Sequence, residues 1–472
     1  MDNSKNSSNN LKEKSSNRNS FTSSIGFIMA AAGSAVGLGN IWRFPYLAAK
    51  DGGGLFLLVY IVLALTFGFA LLTTEIAIGR RTAQGPLTAY GKVKEGWRFL
   101  GLFAWLVPVL ILPYYCAIGG WVLKYFVVFV EGKGELAAAD SFFGSYITSV
   151  SEPIVWFIIF LVLTAVVIIG GVNKGIENVS KILMPILIVL IFGISLFSLT
   201  LKHGDVTGID GLKVYIIPDF TGLTIGKFFQ ILMDAMGQLF FSISVAMGIM
   251  VAYGSYAKKE ANLMSSINQI EFFDTLVAML AGLMIVPAVF VFSGRDGMSA
   301  GPGLMFQSLP KVFSQMGNAG QVIGIVFFMT VIFAAVTSSV SVMEAIVSGL
   351  MDRFKFSRIG SALITTLYTL VVGIIVCLGY NKLYIEVKLP NGSTGQILDI
   401  LDFISNSWLM PIVSLLTCVL IGWVVKPKYV IEEVEQEKHK FGRKYLYIVM
   451  IKFVAPVLLF VLLLQSFGII KL

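Results

Sequence analysis

A few residues stand inside long apolar stretches of this chain where lipid does not accept them without cause: Arg43, Glu75, Asp234, Asp274, Glu344, Asp402 and Lys452. An ionisable side chain at mid-bilayer costs about 2.5–3.5 kcal/mol on insertion scales, so each is a candidate functional group. Lys452 has a plain alternative, because a long amine can snorkel to the interface. Around Arg43 the chain reads Gly33-Ser34-Ala35-Val36-Gly37-Leu38-Gly39-Asn40-Ile41-Trp42-Arg43-Phe44-Pro45. Glycine favours non-helical backbone, so a helix here is expected to break near Val36–Gly39. The carbonyls and amides bared by such a break are tolerated only around a protein-lined or watery cavity. Small-residue helix packing would also use Gly33-x-x-x-Gly37, but packing does not ask for Asn40 and Arg43. A second run, Gly237-Gln238-Leu239-Phe240-Phe241-Ser242-Ile243-Ser244-Val245-Ala246-Met247-Gly248, again puts polar groups among apolar ones. A third, Ala334-Ala335-Val336-Thr337-Ser338-Ser339, carries hydroxyls that either bond back to carbonyls one turn away or offer oxygens to a hard cation. Sodium needs about five or six oxygens, and freed carbonyls with these hydroxyls could supply them. Metal-type histidine spacing, a nucleophile–base pair and a phosphate-cradling glycine loop are all missing from the sequence.

The elements that must hold these groups follow from composition. Of 472 residues, 56% are hydrophobic and 13% charged, against about 25% charged in soluble chains, and mean hydropathy is +0.84. This excludes a soluble enzyme, a nucleic-acid binder and a disordered scaffold. A β-barrel would alternate polar and apolar residues over about ten positions, which these runs do not. The reading is an all-α integral membrane protein, partnered by the lipid bilayer and not by nucleic acid. Apolar runs long enough to cross a ~30 Å core fall near 21–47, 54–79, 101–131, 153–170, 179–201, 226–257, 268–293, 321–352, 358–379, 398–425 and 445–468, giving eleven transmembrane helices. Most of the 35 Lys and Arg fall in segments that are cytoplasmic if the N-terminus is inside. That bias predicts a cytoplasmic N-terminus and, with an odd count, an extracellular C-terminus. Residues 1–20, rich in Asn, Ser and Lys, read as a disordered cytoplasmic tail, with no cleavable signal peptide. Cys116, Cys377 and Cys418 all lie in spans and read as packing. The two interrupted runs lie in spans one and six. Interrupted helices at matching places of two five-helix halves point to a transporter built from an inverted repeat: 21–201 and 226–425, with 445–468 as an additional helix.

The run Ala31 to Phe44, the stretch Gln238 to Ser244 and Ala334 to Ser339, in this order and at these spans, resemble the neurotransmitter:sodium symporter family, specifically its prokaryotic amino-acid members with the LeuT fold. The likeness runs from about Arg18 to the last span. It implies a 5+5 inverted repeat with broken helices one and six, and two sodium sites. The first would use the Ala35 carbonyl, Asn40, Ser242, Asp274 and the cargo carboxylate. The second would use the carbonyls of Gly33, Val36 and Ala334 with the hydroxyls of Thr337 and Ser338. The cargo carboxylate would meet the amides near Leu38 and Gly39 and the Tyr115 hydroxyl, as suits a helix N-terminus. Its amino group would meet the carbonyls of Ala35, Phe241 and Ser244. Arg43 and Asp402 resemble the outer gate, with Phe241 as lid. Arg18, Ser255, Tyr256 and Asp352 resemble the inner gate. Gly175, nine residues and Pro185 resemble a hinge that unwinds, since proline removes a helix hydrogen bond.

The sequence also departs from the family pattern. Residue 274 is aspartate where many members have asparagine. A fixed carboxylate there could replace the chloride that animal relatives bind, so no chloride is expected, and Asp274 is a candidate proton acceptor once sodium leaves. Gly37 stands where monoamine carriers have an aspartate, leaving room for a substrate carboxylate. The cargo is therefore expected to be an amino acid. Its side chain would meet Ile111, Phe241, Ala246, Met247, Ser338 and Val342. Without a charged wall, and with a pliable methionine, the pocket leans toward large hydrophobic or aromatic amino acids. The segment 132–152 is short where animal members carry a long glycosylated loop, which favours a bacterial plasma membrane and makes the sequon at Asn391 chance. The expected activity is sodium-coupled import by alternating access, and no enzyme. A sodium-independent or proton-coupled carrier of the same fold, a channel and a non-transporting amino-acid sensor are the alternatives.

Overall fold

The structure is a computed structural model that describes residues 20–298, 301–390 and 392–470. The tail and Arg18 lie outside these residues, as does Asn391. The first apolar run forms α1 (Ser24–Ala35) and α2 (Gly39–Lys50), bent by 53° at a short break. The remaining long helices are α3 (Gly54–Thr82), α5 (Glu95–Val130), α7 (Glu152–Ile169), α8 (Val172–Thr200), α12 (Leu263–Ser293), α14 (Asn318–Phe354), α15 (Arg358–Leu378), α16 (Ile397–Val424) and α18 (Lys444–Ser466). Among the described residues these nine, with the bent pair as a tenth, are long and apolar enough to cross a membrane. The sixth predicted run, 226–257, is not one helix. It is α10 (Ile225–Ser242) and α11 (Ile249–Tyr256), with Ile243–Gly248 between them non-helical.

Both expected breaks are present, and their causes differ. After Ala35 the chain turns extended at Val36 (φ −79°, ψ 95°). Gly37 is needed for close approach: a Cβ there would lie 2.8 Å from the Ser338 Oγ and 3.3 Å from the Tyr115 hydroxyl. In the second break, Ser244 (φ 53°) and Ala246 (φ 62°) occupy the left-handed region without being glycine, a conformation costing roughly 1–3 kcal/mol each unless the surroundings hold it. Here they do. The Ala246 amide donates to the buried Glu75 Oε1 at 2.6 Å, and the Ser244 hydroxyl donates to the Ser34 carbonyl at 3.0 Å. The second break is thus held by polar groups of α3 and α1.

Some boundaries move. The fifth span starts at Val172, not 179, because a π-helical turn, Val172–Glu177, continues into the α-helix. Connecting elements too short or too amphipathic to read as spans appear between the long helices: α4 (Pro86–Val93), α6 (Asp140–Thr148), α9 (Gly208–Ile216), α13 (Leu309–Gln315) and α17 (Lys428–Val434). Two small antiparallel hairpins, β1 (Lys202–His203) with β2 (Val206–Thr207) and β3 (Val387–Lys388) with β4 (Thr394–Gly395), cap connections on the outer side of the predicted topology. Lys452 lies 5.5 Å from the Trp423 ring, and the three cysteines are buried free thiols. The core that positions the site is the contact of α14 with α5 and α1, and of α12 with α1 and α2.

Candidate functional site

The two breaks face each other at the centre of the helices. Asn40, in the first turn of α2, Ser242, at the end of α10, and Asp274, in α12, are all fully buried. The Asn40 Nδ2 donates to the Ser242 Oγ at 2.8 Å and to the Asp274 Oδ1 at 2.9 Å, and the Ser242 hydroxyl donates to the same Oδ1 at 2.7 Å. Tyr60 of α3 approaches the other oxygen, Oδ2, at 3.4 Å. Asn40 also turns its Oδ1 back to the Gly37 amide at 3.2 Å. Three oxygen-bearing side chains from three helices, one a carboxylate, therefore converge beside the end of α1, where Ala35 closes the helix. This is hard-cation chemistry: oxygen donors and a negative charge, without sulfur or imidazole.

The hydroxyls of α14 form a second cluster. The Ser338 Oγ lies 3.3 Å from the Val36 carbonyl and 3.2 Å from the Ser34 carbonyl. The Thr337 Oγ1 donates to the Ala334 carbonyl at 3.1 Å and to the Phe333 carbonyl at 2.9 Å. A Cβ at Gly33 would come within 3.3 Å of Thr337. The Thr337 hydroxyl bonds back to its own helix while the Ser338 hydroxyl faces the carbonyls at the first break, so the two readings divide between neighbouring residues.

Between the clusters lies a small cavity of about 20 Å³, lined by Ser34, Gly37, Ile111, Tyr115, Phe241, Ser244, Met247, Ile249, Ser338 and Val342. A water-sized group needs roughly 10–15 Å³, so an amino-acid side chain fits only if the lining side chains give way. The Leu38 amide points at the Tyr115 hydroxyl (3.5 Å). Outside this cavity is a vestibule of about 450 Å³ reaching past Trp42, Tyr46 and Lys50. Tyr115 and Phe241 line both spaces, so these two rings stand between them.

Most of the expected residues gather here, with several differences. Ala246 does not line the cavity, because its left-handed backbone turns its amide to Glu75. Ser34 and Ile249 line it without a pocket role in the sequence reading. Glu75, an intramembrane acid with no assigned role in the sequence reading, holds the second break through the Ala246 amide. Gln238 likewise donates to the Gly39 carbonyl at 3.2 Å. Arg43 and Asp402 share the vestibule wall, but the direct ion pair implied by the resemblance is not formed within 4.0 Å. Instead the Asp402 Oδ1 accepts from the Asn406 Nδ2 at 2.6 Å. The reason is the width of the vestibule that separates them.

Side chains also interlock around the residues that the resemblance implies for the inner gate. The Tyr256 hydroxyl donates to the Glu344 Oε1 at 2.6 Å, and Arg358 grips both Glu344 oxygens at 2.5 and 3.1 Å. Asp352 accepts from the Gly85 amide, and the Ser255 hydroxyl donates to the Ala252 carbonyl of its own helix. Glu344 and Arg358 join this cluster, and neither has a gate role in the sequence reading. Gly175 lies in the π turn and Pro185 inside the following helix, so the hinge segment is wound.

Comparison with known proteins agrees with this arrangement. The family described as the sodium:neurotransmitter symporter family matches residues 18–141 and 143–471. The uncharacterized sodium-dependent transporter YhdH of Bacillus subtilis (strain 168) is 35% identical over 458 residues, covering 96% of this chain and 98% of the relative. An uncharacterized sodium-dependent transporter of Methanocaldococcus jannaschii is 33% identical, covering 86% of this chain and 82% of its own. Among solved structures, that of MhsT in complex with L-phenylalanine superposes with a TM-score of 0.84 at 34% identity, covering 95% of this chain and all of that one. The chain belongs to the sodium:neurotransmitter symporter family, whose members are transporters and not enzymes.

Proposed function

We propose that the chain is a sodium-coupled importer of neutral amino acids, with large hydrophobic or aromatic ones as cargo, working without chloride. The observation that carries this reading is the convergence of Asn40, Ser242 and Asp274, within 2.9 Å of one another, beside a cavity with mainly apolar walls. The carboxylate of an α-amino acid would complete the first sodium site, which couples cargo to ion. The Thr337 and Ser338 hydroxyls with the Gly33, Val36 and Ala334 carbonyls would hold the second sodium. The Asp274 charge would stand in for an anion. Apolar walls at Ile111, Met247, Ile249 and Val342 favour a bulky apolar side chain, and the phenylalanine complex of the similar protein supports that class.

On this reading the chain spans the plasma membrane eleven times. The N-terminus is cytoplasmic, the C-terminus is outside, and the two halves 21–201 and 226–425 form the inverted repeat, with 445–468 appended. Access alternates around the site. Arg43, Asp402 and Phe241 close it from outside, Tyr256 with Glu344 closes it from inside, and unwinding between Gly175 and Pro185 releases the second sodium.

The test is radiolabelled uptake of the twenty amino acids into proteoliposomes, with and without an inward sodium gradient. Sodium-driven accumulation of phenylalanine, tyrosine, tryptophan or leucine is expected, with less than a twofold change when gluconate replaces chloride. Accumulation that ignores sodium, or a several-fold fall in gluconate, refutes the corresponding part of the proposal.

A further inference from the structure

The inner end of α1 carries a contact that transport chemistry leaves unused. Glu177, the last residue of the π turn that opens α8, is completely buried. Its Oε2 accepts from the Thr22 amide at 2.7 Å. Its Oε1 accepts from the Thr22 hydroxyl, from the Ser23 Oγ at 3.2 Å and from the Lys181 Nζ at 2.6 Å. Ser23 is the N-cap of α1 and receives the Gly26 amide at 3.0 Å. Gly26 lies flat on the carboxylate, since a Cβ there would sit 2.0 Å from the Glu177 Oε1. The same short segment is held from the opposite side, where the Phe21 amide donates to the Tyr256 carbonyl at 3.1 Å and the Lys258 Nζ to the Thr22 carbonyl at 2.6 Å. One carboxylate thus ties the start of α1 to the start of α8, and it sits two residues beyond Gly175.

We infer that Glu177 is a positioning residue, a latch that makes the winding of the start of α8 hold α1 against the inner face. While the turn 172–177 is wound, the carboxylate reaches Thr22 and Ser23. When that turn unwinds, the carboxylate is withdrawn, α1 is released, and the carbonyls at its far end, Gly33 and Val36, lose their fixed place opposite Thr337 and Ser338. The inference rests on the hinge and second-sodium reading above and names the residue that links the two. A buried charged acceptor with several donors is expensive to leave half-satisfied, which is why so small a contact can control a whole helix end.

The experiment is hydrogen–deuterium exchange of the full-length protein in nanodiscs, in sodium and in choline, following residues 24–35 and 178–190. In the wild type, sodium should slow exchange in both segments. In Glu177→Gln, exchange of 24–35 in sodium should rise at least tenfold, while 178–190 still responds to sodium. Thr22→Val, which removes the hydroxyl donor and leaves α8 and the Ser23 cap untouched, should shift exchange at 24–35 in the same direction, so the test stands even if Glu177→Gln folds poorly. Combining the two should add nothing beyond Glu177→Gln, as for members of a single interaction. Gly26→Ala, which displaces the carboxylate, should act the same way. Unchanged exchange at 24–35 in Glu177→Gln, or additive effects of Glu177→Gln and Thr22→Val, overturns the latch. Exchange at 178–190 that ignores sodium in the wild type overturns the hinge reading instead.

Discussion

Asp274 Oδ1 receives two donors, Asn40 and Ser242, and the pair would have to turn toward a bound cation. A sodium ion at this place would therefore exchange two charge-assisted hydrogen bonds for ion–oxygen contacts, and the carboxylate sets how favourable that exchange is. Asp274→Asn should weaken sodium activation of uptake by tenfold or more and make the remaining uptake rise when chloride replaces gluconate. Uptake by Asp274→Asn that is unaffected by either ion would separate Asp274 from the coupling. For the second site, Thr337→Ala with Ser338→Ala should raise the sodium concentration for half-maximal uptake several-fold while α14 stays helical, because the Thr337 hydroxyl only back-bonds to its own helix and the Ser338 hydroxyl bonds the Ser34 and Val36 carbonyls rather than α14. Unchanged sodium affinity would remove that assignment. Neither residue type alone revealed these contacts. The sequence offered hydroxyls and an acid in apolar runs, and only the fold showed which carbonyls they face.

At the level of elements, the turn joining α2 to α3 holds a carboxylate in an unusual place. Asp51 is buried, and its Oδ2 has no hydrogen-bond partner among the described residues. Lys50 lies at 3.8 Å and reaches Asp234 of α10 at 2.7 Å. Burial, and then the nearby Asp234 charge, push the Asp51 carboxyl up to about 7, against the pull of Lys50 and Lys227. A carboxyl raised in the folded state favours folding where it is protonated. That contribution is complete below its unfolded value of about 3.9 and disappears as pH rises through about 7. The melting temperature of the wild type should therefore fall between about pH 4 and pH 7 and level off above that, and Asp51→Asn should flatten that fall. A slope that survives the substitution would assign it to another group.

The same scale shows what a linear reading can and cannot recover. The first break was legible because glycine and asparagine sit together in an apolar run. The second break was legible only as misplaced polarity. Its left-handed residues, Ser244 and Ala246, carry no local preference for that conformation and are held by Glu75 and Ser34 from elsewhere in the chain. The π turn at Val172–Glu177 left no mark in the hydrophobic pattern, so the fifth span was started late. Glu344 was visible as an intramembrane acid, but its partners Tyr256 and Arg358 come from separate helices.

For the molecule as a whole, the vestibule is the wide space, about 450 Å³ against about 20 Å³ for the cavity, and on the proposed topology this is an outward-facing arrangement. If two sodium ions move per cycle, each gains about 2.3 kcal/mol in 100 mV and roughly 1.4 kcal/mol from a tenfold gradient. Together these support an accumulation ratio of order 10⁵ for a zwitterion, against about 10²–10³ for one ion. The sodium-to-cargo ratio, measured from the membrane potential that just halts uptake in proteoliposomes, should be two; a ratio of one would leave only one of the clusters coupled to transport.

The Phe241 ring rests on bare backbone: a Cβ at Gly39 would lie only 2.4 Å from its Cδ1. A shutter seated on a glycine can be jammed by very little. A molecule that presents an amino-acid head but a body too broad for the inner chamber would be caught beneath a ring unable to settle. It would behave as a blocker that is bound and never carried, so the dividing line between cargo and inhibitor in this protein would be a matter of girth.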